Sequence, residues 1–221
     1  MTQPSTTLNG LAPLFASGVL AVVRLSEAAA GGLRAIAHAL AEGGVGAVEV
    51  TLTTPGAIDA IGDLAEDESL AGCVIGAGTV LDPSAARYVI DAGARFVVSP
   101  VLHRAVLDTC RERDVPCIPG AFSPTEIFNA CRAGAPLVKV FPAGALAPGF
   151  VRDLLAPLPF LRLVPSGGVS LENAGDWIRG GAAAVSVGGA LVSPDMLGPD
   201  RAADLTARAR AFVTRVKDAR G

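Results

Sequence analysis

Short apolar runs recur along the chain, each entered through a glycine-bearing helix end. EGGVGAVEV, DAGARFVVS, RAGAPLVKV and RGGAAAVSV share this form. Glycine can take the left-handed conformation that closes a helix, and a β-branched run directly behind it favours a strand buried on both faces. Successive copies lie about twice one strand-plus-helix unit apart, which calls for a further strand between each pair. VLAVVRL, CVIGAGTV, PCIPGAF and RLVPSGGV fill those places. The pattern therefore predicts eight strands, beginning near residues 19, 47, 73, 96, 116, 137, 162 and 184, in alternation with eight helices.

The helices read from a different period. Leu33, Ile36, Ala37 and Leu40 follow the three-and-four spacing of one buried face, and Gly43 and Gly44 end that helix. Leu205, Phe212, Val213 and Val216 share a face near the C-terminus, with Arg201, Arg208 and Arg215 on a solvated side. A further helix around residues 5–17 is expected to cover one end of the sheet. The expectation is a TIM (β/α)8 barrel in a single domain over residues 1–221. In it the N-terminal cap lies within 1–18, the strands within 19–192 and a C-terminal helix within 193–221. A doubly wound open sheet is the alternative.

Composition narrows the function classes. A hydrophobic content of 51% supports a large core, while a net charge of −3 and a pI near 5.4 speak against nucleic acid as a partner. No basic segment precedes a sustained apolar run at the N-terminus, and GVLAVV is far too short to span a bilayer, so a cytoplasmic protein without a membrane partner is expected. Cys73, Cys110, Cys117 and Cys131 show no C-x-x-C spacing and read as reduced structural thiols, two of them within predicted strands. The two histidines, His38 and His103, stand in separate segments without a carboxylate cluster, which leaves little for a metal site or a serine–histidine triad.

The basic residues are lopsided: sixteen arginines and two lysines, Lys139 and Lys217. Lys217 falls in RVKDARG and reads as a solvated helix charge. Lys139 interrupts the apolar strand PLVKVF, where a charge is costly. Alternation along strands places Lys139 on one face with Phe141 of the sixth strand, and Glu49 with Thr51 and Thr53 of the second. Those strands stand opposite each other in an eight-stranded barrel, so Glu49 and Lys139 are expected to meet near its axis.

A buried ion pair that only fixes packing is one reading. Such a pair is often no more stabilising than apolar residues of equal volume, and arginine would make the better structural partner. Lysine offers instead an amine that can attack a carbonyl. At an ordinary pKa of about 10.4, on the order of one amine in a few thousand is neutral at pH 7, so catalysis needs an apolar setting, which Val138, Val140 and Phe141 are expected to supply. The seventh and eighth strands end in PSGGVS and SVGGAL, and glycine turns at these two positions commonly cradle phosphate in this fold. Thr79 in GAGTV adds a hydroxyl at the end of the third strand.

With these residues in view, VEVTLTT, GAGTVLDP, VVSPVL, IPGAFSPTE, VKVFPA and VPSGGVS, in order between residues 19 and 192, resemble the 2-keto-3-deoxy-6-phosphogluconate (KDPG) aldolases. Bifunctional relatives that also cleave 4-hydroxy-2-oxoglutarate (KHG) share the pattern. The resemblance implies a class I aldolase cleaving KDPG to pyruvate and glyceraldehyde 3-phosphate, with KHG cleavage to pyruvate and glyoxylate as a further activity. It implies Lys139 as the Schiff-base amine and Glu49 as general acid and base. It also implies Thr79, Pro100, Phe141 and Ser166 around the substrate, and Gly167, Gly168, Gly188 and Gly189 around its phosphate. It further implies a homotrimer that needs neither metal nor cofactor, with a small-molecule 2-keto acid or sugar-acid phosphate as partner.

Two positions depart from the family's pattern. Thr53 in TLTTP stands where many members have an arginine for the substrate's acidic end, and Ala190 follows the second glycine pair where serine is common. The missing arginine and Pro55 also match relatives acting on the galactonate epimer, which is kept as the alternative substrate. A non-catalytic sugar-phosphate-binding barrel is the alternative of another class.

Overall fold

The short β-branched runs become parallel strands. In the computed structural model of the protein, which describes residues 8–26, 32–193 and 201–221, these are β1 (Val19–Val23), β2 (Ala47–Thr51), β3 (Val74–Gly78), β4 (Val97–Val98), β5 (Cys117–Ile118), β6 (Gly120–Ala121), β7 (Val138–Val140), β8 (Leu163–Pro165) and β9 (Val185–Val187). The order β5-β4-β3-β2-β1-β9 forms one sheet and β6-β7-β8 a second, all pairings being parallel. The chain runs directly from β5 to β6, and a parallel bridge between Ser166 and Ser186 joins β8 to β9. The two sheets thus curl into the expected barrel.

One expectation is corrected. The fifth predicted strand is two short ones, broken at Pro119. Proline has no N–H to give a ladder, so pairing pauses there. Its carbonyl still accepts from the amide of Lys139 at 2.9 Å, which carries the chain across the break.

Among the described residues, eight α-helices follow the strands: α2 (Leu33–Glu42), α3 (Ala57–Ala65), α4 (Pro83–Asp91), α5 (Arg104–Glu112), α6 (Pro124–Arg132), α7 (Gly149–Leu155), α8 (Ala174–Arg179) and α9 (Ala202–Arg220). They are preceded by α1 (Ala12–Ser17). Residues 5–7 of the expected N-terminal helix, and 194–200 ahead of α9, lie outside the described residues. Local chemistry sets several starts. Ser123 and Glu126 form a reciprocal capping box on α6, and Asp82 caps α4. His103 caps α5, its Nδ1 accepting from Val106 N at 3.4 Å, which gives it a structural task.

The core has two layers. Leu20, Ala47 and Val164 on their strands, with Leu137 and Ala184 directly before β7 and β9, join one buried cluster that also holds Leu11 and Leu14. The segment around α1 therefore closes the bottom of the barrel. Val138 and Val140 belong to the other cluster, between strands and helices, with Ile127 and Val151. Here the reading of Lys139's surroundings is corrected: these valines face away from the interior, because side chains alternate along a strand. A clamp ties the ends of the barrel wall. The Arg220 guanidinium donates to the carbonyls of Phe15 (2.7 Å), Ala16 (3.3 Å) and Ala183 (3.1 Å). No described helix is long and apolar enough to cross a membrane.

Candidate active site

The period of two that fills the barrel bottom also builds what lies above it. Two residues beyond the apolar layer of Ala47, Leu137, Val164 and Ala184 come Glu49, Lys139, Ser166 and Ser186, all buried. Two residues advance a strand by about 6.6 Å, so a polar layer rests directly on the apolar one. Below it is the apolar floor of the barrel, and above it are the strand ends where barrels of this kind carry their chemistry.

Glu49 and Lys139 meet as expected. Lys139 Nζ stands 3.8 Å from Glu49 Oε1, and the two residues are 8% and 0% exposed. That separation is too long for a hydrogen bond and leaves a coulombic contact. Neither carboxylate oxygen of Glu49 has a hydrogen-bond partner among the described residues. Burial pushes the Glu49 pKa above its ordinary value, opposed by the charges of Lys139 and, after it, Arg24. A buried carboxylate with both oxygens unpartnered, beside an amine it does not bond, leaves groups for a third molecule to satisfy.

The space for that carboxylate comes from β3. Gly78 pairs with Thr51, and a Cβ on Gly78 would collide with the Glu49 carboxylate. Only a residue without a side chain lets the carboxylate occupy this place. One residue on, Thr79 has φ +58°, a left-handed conformation that costs a threonine on the order of 1–3 kcal/mol. It is half-buried at the end of β3, where the expected hydroxyl was placed.

Phe141 follows β7, and its ring lies 5.4 Å from Lys139 Nζ, within cation–π range. Lys139 and Phe141 thus share a face as predicted. Pro100 follows β4 and is half-buried, its carbonyl packed so closely over Gly120 that a Cβ there would overlap it. Thr53 lies outside the strand on which it was expected: β2 ends at Thr51, and Thr53 is exposed, its hydroxyl 2.9 Å from that of Thr51.

The two glycine pairs stand side by side but differ in form. Gly167 and Gly168 have φ of +77° and +83°, and a Cβ on Gly168 would come within 2.5 Å of Gly144 Cα. Both left-handed backbone and close approach therefore demand glycine. Gly188 and Gly189 have no positive φ; the Gly188 carbonyl accepts from Leu191 N (2.8 Å) and Val192 N (2.9 Å), making a turn that opens with glycine.

Three further residues join the site. Arg24, exposed just past β1, acts on Glu49 through its charge; among sixteen arginines no spacing singles it out. Asn173 fixes the β8 loop, its Nδ2 donating to Gly168 O and its Oδ1 accepting from Ser170 N, both at 2.9 Å. Ser186 hydrogen-bonds Ser166, oxygen to oxygen at 3.1 Å. Ser166 was expected only through the family resemblance, whereas the period-two step from Ala184 would have pointed to Ser186.

Residues 13–207 match the family described as KDPG and KHG aldolase. The chain belongs to that family. It is an aldolase, a carbon–carbon lyase of the KDPG aldolase type. A "probable 2-dehydro-3-deoxy-6-phosphogalactonate aldolase" of Rhizobium meliloti is 36% identical over 166 residues, covering 75% of this chain and 78% of the relative. A "2-dehydro-3-deoxy-phosphogluconate aldolase" of Pseudomonas aeruginosa is 40% identical over 144 residues, covering 65% of this aldolase and 64% of the relative. Among solved structures, the KDPG aldolase of Legionella pneumophila "with pyruvate captured at low pH as a covalent carbinolamine intermediate" superposes with a TM-score of 0.81 at 30% identity. That match covers 92% of this aldolase and 97% of the other chain.

Proposed function

We propose that this protein is a class I aldolase that cleaves KDPG to pyruvate and glyceraldehyde 3-phosphate through a Schiff base on Lys139. The observation that carries the reading is the inward Lys139 amine, 3.8 Å from a wholly buried Glu49 carboxylate that has no hydrogen-bond partner among the described residues. The neutral amine attacks the C2 ketone to give a carbinolamine, and loss of water gives an iminium that acts as an electron sink. Glu49, directly or through a water, takes the C4 hydroxyl proton as the C3–C4 bond breaks. Glyceraldehyde 3-phosphate leaves, and the bond electrons remain on Lys139 as an enamine. Protonation at C3 and hydrolysis release pyruvate and restore the amine.

The surrounding groups take roles that match their placement. Thr79, Ser166 and the Phe141 ring line the pyruvyl half of the substrate, with Pro100 and Thr53 at the mouth. Amides of Gly167, Gly168, Gly188 and Gly189 hold the phosphate. Arg24 supplies the positive charge for the substrate carboxylate that Thr53 cannot. The same reading includes a homotrimer, as the family resemblance implies, working in the cytoplasm, as expected from the N-terminal sequence, and KHG as a slower substrate because it lacks the phosphate.

A second reading, the galactonate epimer as main substrate, is favoured by Thr53 and Pro55 and by the Rhizobium relative. Two measurements decide. Pyruvate with borohydride should add a stable mass at Lys139, and an unmodified Lys139 would overturn the Schiff-base reading. Comparing kcat/KM for the gluconate, galactonate and unphosphorylated compounds then assigns the substrate.

A further inference from the structure

The glycine pairs read as a phosphate cradle end two different strands, so the cradle keeps its shape only if β8 and β9 keep their spacing. Low on this seam, Ala183 N donates to Leu163 O at 2.9 Å. At the upper end, directly before the glycines, stand the Ser166–Ser186 bridge and the bond between the two hydroxyls. Ser166 immediately precedes Gly167, and Ser186 is two residues before Gly188. Ser186 is 1% exposed and inward-facing, in line with Ala184 on the barrel floor. A hydroxyl there is costly to bury unless it is bonded, and Ser166 is the partner the structure gives it.

We propose that Ser186 is a positioning residue for phosphate: by holding the Ser166 hydroxyl it fixes the distance between the Gly167–Gly168 and Gly188–Gly189 loops. It touches neither amine nor carboxylate of the reacting pair, and its effect passes through Ser166. The inference rests on the phosphate reading of these glycines given above. Lys139 stands on β7, away from this seam, so the loss falls more heavily on the phosphate end than on the amine.

The full chain is compared with Ser186→Ala and Ser186→Thr. Loss of one neutral hydrogen bond is expected to raise KM for KDPG about 2- to 10-fold and to weaken competitive inhibition by inorganic phosphate by a similar factor. In Ser186→Ala, the pyruvate concentration that half-saturates borohydride trapping on Lys139 should rise by a clearly smaller factor than phosphate inhibition weakens, because Ser166 loses one bond on the pyruvyl side while the phosphate loops lose their spacing. Ser186→Thr, which keeps the hydroxyl, should restore KM. Should Ser186→Ala fold poorly, Ser186→Cys carries the same test with a near-equal volume and a weaker bond. An unchanged KM and phosphate inhibition, or equal losses in phosphate binding and pyruvate trapping, would overturn the role of Ser186. A wild-type chain that traps no pyruvate would overturn the aldolase reading instead, while phosphate binding measured by calorimetry still tests Ser186.

Discussion

Gly78→Ala isolates the placement of Glu49 from its chemistry. The substitution keeps both reacting groups, and the Gly78 backbone is not left-handed, so alanine fits the strand itself. Its Cβ would overlap Glu49 Oε1 outright and fall 2.5 Å from Glu49 Cδ and Cγ, where ordinary contact begins near 3.4 Å, so the shift worked from the carbons is a minimum. The carboxylate must therefore move by about 1 Å, a displacement that can cost an aligned reaction about 100-fold, or ~2.7 kcal/mol of barrier. The expected result is a drop of that order in kcat/KM for KDPG, read by coupling pyruvate to lactate dehydrogenase. Borohydride trapping of pyruvate at Lys139 should continue, because the amine is untouched. Thermal unfolding serves as the control. Activity within about 2-fold of wild type, in a folded protein, would refute the claim that the position of Glu49 limits cleavage.

Other expectations follow from charges and seams. Because burial raises the Glu49 pKa above 4.5 and the base works ionised, the acid limb of kcat/KM should lie above the range of a surface glutamate. Glu49→Gln should lower activity about 10²- to 10⁴-fold. Asp67 is held at about 2, chiefly by the Ser69 hydroxyl, with His38 and Arg34 adding to the effect. A depressed carboxylate stabilises the fold above its unfolded pKa, and that stability is lost as pH falls from about 4 towards 2. Ser69→Ala should therefore move the acid-unfolding midpoint, followed by circular dichroism, to higher pH. Arg220→Ala removes three bonds to carbonyls at an exposed clamp; a loss of about 1 kcal/mol would lower Tm by about 2–4 °C.

Much of this was legible because one rule, alternation with period two, governs both halves of the barrel interior. It put Glu49 and Lys139 on facing strands, while glycine-closed helix ends located four strands and their spacing called for the four between them. The rule needs known strand limits, however. Thr53 was assigned to a face that ends at Thr51, and Val138 and Val140 were counted as lining although their odd–even position sends them outward. Pro119 was visible in PCIPGAF, but whether a proline breaks a strand depends on which neighbour needs its missing N–H. Arg24 was hidden for another reason: its charge reaches Glu49 through space from an adjacent strand, with no local motif. The space above Gly78 was also beyond reach, since a glycine in a strand looks alike whether it spares a turn or a carboxylate.

The Arg220 clamp reaches Phe15 across 205 residues of chain. β1 pairs on one side with β2 and on the other with β9, so one flank of the first strand stays bare until nearly the whole barrel has been synthesised. During that interval an open parallel edge is free to pair with another nascent chain. Expression yield should accordingly depend on chaperones and on growth temperature more than the stability of the finished barrel would suggest.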